Sequence, residues 1–83
     1  MSWQVQWTKR ALRATAKLDR PTRERIVESV GRLATTGQGD VKRLKGEHRG
    51  LLRLRVGGWR VFFSKAEDRL LVIHAIRPRG DAY

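Results

Sequence analysis

The sequence predicts an α+β fold in the order β-α-α-β-β-β, an antiparallel sheet with a helical hairpin packed on one face. Three observations carry that expectation. Helical apolar spacing is confined to the stretch 9–34, three strand-like runs follow in 51–77, and the Gly57-Gly58 pair joins the two alternating ones as a β-hairpin turn would. With 83 residues and no cysteine, the chain fits one domain, 1–83, whose core must hold without disulfides.

The elements follow in order. Trp3, Val5 and Trp7 alternate with Gln4 and Gln6, the pattern of a short strand with one buried face. That alternation favours core packing of the tryptophans over a base-stacking platform. Thr8 can cap a helix from Lys9 to about Leu18, with Ala11, Ala14 and Leu18 as its inward stripe. Asp19-Arg20-Pro21 breaks the chain, and Pro21 suits the first turn of a second helix that runs to about Ala34. Ile26, Val27, Val30 and Leu33 follow helical spacing there. The segment 35–40 is a loop by composition, and Val41 to Gly50 reads as irregular or weakly extended, anchored by Leu44. Strands are expected at 51–56, 59–64 and 69–77, with a turn at Lys65-Ala66-Glu67-Asp68. Leu70 to Ile76 is apolar on both faces, as an interior strand would be. Arg77 to Tyr83 forms an extended basic tail.

Charge narrows the function. Lys and Arg total 19 against 8 Asp and Glu, a net charge of +11. Such an excess on a small domain asks for nucleic acid, an anionic surface or an acidic protein. Membrane binding fits poorly, because neither helix combines a basic face with a bulky apolar one. The absence of cysteine removes thiolate zinc sites, and the thin spread of carboxylates gives no hard-cation site, so no metal or other cofactor is expected. No apolar run is long enough to span a bilayer and the N-terminus has no apolar signal region, so a soluble, cytoplasmic protein is expected.

The hairpin concentrates that charge. A two-residue turn at Gly57-Gly58 sets Arg55 opposite Arg60 and Arg53 opposite Phe62, so that Arg53, Arg55, Arg60 and Phe62 share one face. Leu52, Leu54, Val56, Trp59, Val61 and Phe63 take the other. Like charges directly opposite are unfavourable in a sheet, and a polyanion would relieve the cost; a solvated basic face is the plainer alternative. Lys42, Arg43, Lys45 and Arg49 extend the basic surface toward the hairpin as further RNA-binding candidates.

Lys42-Arg43-Leu44-Lys45-Gly46, the hairpin Leu52 to Phe63 and the closing Arg79-Gly80-Asp81-Ala82-Tyr83 together resemble the RelE/ParE toxin superfamily. The resemblance covers nearly the whole chain, including its element order. It implies a toxin of a type II toxin–antitoxin system, held by a cognate acidic antitoxin, a monomer when free and a higher oligomer in the complex. RelE-type members cleave mRNA in the ribosomal A site; ParE-type members inhibit DNA gyrase with the same fold. The RelE-like active positions fall on Arg53, Arg55, Arg60, either Arg77 or Arg79, and Tyr83. A non-catalytic RNA-binding module is a third reading of the same basic surface.

The chemistry of RNA cleavage tests the RelE-type reading. The 2′-hydroxyl must lose a proton, the phosphorane must be stabilised, and the 5′-oxygen must be protonated. Arginines supply the second need through charge-assisted bonds. Lysines are common in RelE where this chain has Arg53 and Arg55, and arginine stays protonated, so these two can bind and stabilise but not act as bases. Tyr83 could stack on a base or pass a proton. His74 has the ordinary pKa for a base, against the alternative of a histidine packed on the sheet. His48, in the basic loop, reads as exposed.

Overall fold

The structure is a computed structural model that describes residues 2–46 and 50–78. Seven elements appear in it: β1 (Gln4–Trp7), α1 (Lys9–Ala16), α2 (Arg20–Thr36), β2 (Asp40–Arg43), β3 (Leu52–Val56), β4 (Trp59–Ala66) and β5 (Leu70–Pro78). The strands form one sheet in the order β1-β5-β4-β3-β2. Both helices cover one face, α1 against β5 and β1, α2 against β3 and β1. The expected α+β class and helix-before-meander order are found.

Local chemistry explains the helix ends. Thr8 holds extended φ/ψ, and its Oγ1 accepts the Ala11 N–H at 3.1 Å, a side-chain N-cap. Helix α1 stops at Ala16, before the expected Leu18, because the Lys17 and Leu18 N–H groups turn back three residues to the Ala14 and Thr15 carbonyls. Pro21 lies in the first turn of α2, where its missing N–H costs nothing. Helix α2 runs past the expected Ala34 to Thr36, and ends where Gly37 turns left-handed at φ 77° and gives its N–H to the Leu33 carbonyl.

The sheet differs from expectation in two ways. It is mixed, since β1 pairs with β5 in parallel, Val5 beside Leu71 and Trp7 beside Ile73. The direction of β1 is set by the helices that follow it, not by a hairpin turn, so nothing imposes antiparallel pairing. An extra strand, β2, lies antiparallel on the outer edge of β3. All its residues are exposed, so Val41 to Arg43 lack the buried alternation by which a strand is read from sequence. The last turn is also displaced: β4 runs on to Ala66, and Asp68 and Arg69 take positive φ of 60° and 57°.

Between helices and sheet lies the core, with Ala11, Ile26, Val30 and Ala34 from the helices and Leu54, Val61, Phe63, Leu71 and Ile73 at its sheet side. Trp3, Val5 and Trp7 pack against it, the core role expected of the tryptophans. Val27, expected inward, is 49% exposed, and Ala34 takes the inward place. Ile26, Val30 and Ala34 repeat every four residues, and Val27 lies a full residue step, about 100°, around the helix from that line.

Candidate nucleic-acid interface

The hairpin has the expected register. Val56 pairs with Trp59, Arg55 with Arg60, Leu54 with Val61 and Arg53 with Phe62. Gly57 alone of the two turn glycines takes positive φ, 58°, the pattern of a type II′ turn. A side chain at Gly57 would also meet Arg25 Nη2 of α2 at 2.7 Å, so the turn is closed over by a guanidinium.

Register then builds the site. Arg60 pairs with Arg77 on β5 as well as with Arg55 on β3, and Asp40 on β2 pairs with Arg55. One row across four strands therefore reads Asp40, Arg55, Arg60, Arg77. The next row reads Lys42, Arg53, Phe62, Ala75. Both rows lie on the face away from the helices, because their sequence neighbours Leu54, Val61 and Ile76 belong to the core. Three arginines directly opposite one another repel, and an anion laid across the row reverses the sign of that interaction.

Arg53 is the most constrained of these. Its side chain is 16% exposed, and Nη2 donates to Asp40 Oδ1 at 3.3 Å. Its Nε is buried with no hydrogen-bond partner among the described residues. An unmade buried N–H costs about 1–3 kcal/mol, and a phosphate oxygen at that point would satisfy it. Lys42 shares this face. Arg43 does not: it pairs with Leu52 and falls on the helix side of the sheet. Lys45 follows β2 in an exposed segment. Arg49, His48, Arg79 and Tyr83 lie outside the described residues.

His74 comes to the same face through an irregularity. Phe62 pairs with Ala75 but Phe63 with Ile73, so His74 is the extra residue of a β-bulge. Its Nε2 and the Ser64 Oγ are hydrogen-bonded at 2.7 Å, and its carbonyl accepts from the Thr8 hydroxyl at 3.4 Å. Nothing in the alternation of β5 gives the bulge away. The ion pair of Asp40 with Arg53 is equally hidden, since it depends on β2. No group of metal-ligating side chains gathers among the described residues, and none of their helices is long and apolar enough to cross a membrane.

A second feature lies on the helix side. Between α1 and the ends of β4 and β5 runs a groove of about 460 Å³. Ala14, Leu18, Trp59 and Ile76 line it together with Arg13 and Lys17, giving an apolar floor with a cationic margin.

A sheet with a cationic open face, backed by two helices, makes this a small α+β protein. The model of the ParE toxin of type II toxin–antitoxin systems matches residues 5–83, and the chain belongs to that family. Among solved structures it is similar to the RelBE2 toxin–antitoxin complex of Mycobacterium tuberculosis, at 25% identity and TM-score 0.85, over 98% of this chain and 95% of that one. The archaeal RelE–RelB complex of Pyrococcus horikoshii is 29% identical with TM-score 0.80, over 99% of this chain and 100% of that one. The isolated Escherichia coli RelE toxin shares the fold at 12% identity and TM-score 0.73, over 98% of this chain and 88% of that one. No curated protein matches.

Proposed function

We propose that this toxin is a ribosome-dependent endoribonuclease that cuts mRNA in the A site and so stops translation. The observation that carries the reading is the row Arg55-Arg60-Arg77 with Arg53 beside it on the open face. The 2′-hydroxyl oxygen attacks the adjacent phosphorus, the P–O5′ bond breaks, and a 2′,3′-cyclic phosphate and a 5′-hydroxyl result. Arg60 and Arg77, with Arg53 and Arg55, carry the extra negative charge of the phosphorane. None of these four takes the 2′-proton, because arginine holds its own. Tyr83, or Arg79 in place of Arg77, would join the site from the C-terminal tail. The ribosome orients the strand for in-line attack and provides the acceptor for the 2′-proton, while Tyr83 or a water molecule gives a proton to the leaving 5′-oxygen.

Lys42, Lys45 and Arg49 serve as further RNA contacts in this reading, with Arg43 reached around the exposed edge of the sheet. The cognate antitoxin is acidic and amphipathic, and the apolar, cation-rimmed groove along α1 suits such a segment. The free toxin is a monomer, cytoplasmic like its target, and assembles into a higher oligomer with the antitoxin.

One observation favours a second reading: the matching family model is that of ParE. A ParE-type toxin would poison DNA gyrase and leave mRNA whole. Induced expression followed by mapping of mRNA 5′ ends separates the two. New 5′ ends within translated codons are expected, and Arg60→Ala should reduce them by about 100- to 1,000-fold, the cost of losing one transition-state donor. Intact mRNA with a DNA-damage response would move the assignment to gyrase.

A further inference from the structure

Beyond Arg55 the row ends in Asp40 on β2, but cationic side chains continue on helix α2. Helix α2 presents Arg25, Ser29 and Arg32 at spacings of four and three residues, hence on one face. That face looks onto two adjoining clefts of about 260 and 370 Å³, both lined by Ser29, Arg32 and Arg55, the smaller also by the carboxylate of Asp40. Arg25 lines the larger one, with its guanidinium against the Gly57 turn. Arg55 thus belongs both to the clefts and to the row with Arg60 and Arg77.

We propose that the larger cleft, between α2 and the turn end of β3, is a second phosphate-binding site, which holds the RNA backbone after it leaves the sheet face. The inference rests on the reading of the sheet face as an RNA site. The lining decides between RNA and a protein partner. An amphipathic acidic segment needs an apolar floor, which the α1 groove offers in Leu18, Trp59 and Ile76. The larger α2 cleft offers guanidinium groups and a hydroxyl, with Val56 its one large apolar contributor. Phosphate oxygens match that set: the two bidentate cations Arg25 and Arg32 and the Ser29 hydroxyl donor. Glu28, which pairs with Arg32 Nη2 at 3.1 Å, holds one of the cations in check. Both partners of that pair are well exposed, so an RNA phosphate can displace the carboxylate.

The test is the salt dependence of binding to a single-stranded oligoribonucleotide, followed by fluorescence anisotropy. Each phosphate of a single strand that the protein no longer neutralises lowers the log–log slope by about 0.7. Arg25→Gln/Arg32→Gln should therefore lower it by about 1.4, and Arg32→Gln alone by about 0.7. Glu28→Gln should tighten binding, the opposite sign. Because Arg25 braces the turn, Arg32→Gln decides the matter should the double variant melt. Cleft variants that keep the wild-type slope while Arg60→Gln lowers it would refute the cleft and leave the sheet face standing. Cleft variants that keep the slope but lose the antitoxin would make it a protein-docking site and overturn the proposal as well. If Arg60→Gln also leaves the slope unchanged, the RNA reading itself fails, and the cleft with it.

Discussion

Arg53 and His74 show how one side chain takes its meaning from its neighbours. By residue type Arg53 is a candidate phosphate ligand; the structure adds an ion pair to Asp40 and a buried Nε lacking a partner among the described residues. His74 is a base candidate by residue type, yet its Nε2 is taken by Ser64 and its carbonyl by Thr8. We expect His74→Gln to lower the melting temperature while mRNA cleavage stays within a few-fold of wild type. Loss of cleavage at unchanged stability would make His74 the base. In the core, Ile26 is fully buried, and Ile26→Ala should destabilise the protein by about 2–5 kcal/mol in denaturant unfolding, transfer and cavity terms together.

At the scale of elements, the hairpin is the most legible part of the chain. Alternation sets its faces and the glycine pair sets its register, so the Arg55–Arg60 pairing is written in the residues between Leu52 and Phe63 alone. The turn leaves little freedom: Gly57 combines φ 58° with the Arg25 guanidinium above it. Gly57→Ala should cost about 1–3 kcal/mol, measured by thermal or urea unfolding, for the left-handed backbone and the displaced arginine. Strand β2 is the least legible. It has no buried face, and its pairing comes only from backbone groups offered by the edge of β3. Helix boundaries fall between these cases. The Thr8 cap is visible as a residue type, while the early stop of α1 depends on backbone bonding around Lys17.

For the molecule as a whole, charge dominates. A net +11 on 83 residues drives association with any polyanion and must be neutralised in a stable complex. If an acidic antitoxin segment occupies the α1 groove as proposed, its association rate should fall at least about tenfold from low to high salt in stopped-flow measurements, with the dissociation rate nearly constant. A salt-independent association rate would place the antitoxin away from the basic surfaces. The two helices leave one side of the sheet open, and the row Arg55-Arg60-Arg77 lies on that side, so the fold separates an apolar core from a cationic face.

The sequence by itself determined the α+β class, the two helices, the hairpin register, the core role of the tryptophans and the cationic face. Each of these is a local periodicity or a turn preference, written within a few residues. Only the tertiary structure decided that Arg77 joins Arg55 and Arg60 in one row, that Asp40 reaches Arg53, that His74 bulges toward Ser64 and that β1 runs parallel to β5. These depend on which strands become neighbours and on the register between segments far apart in the chain. Local patterns do not encode that register; the packing of the sheet against its helices sets it.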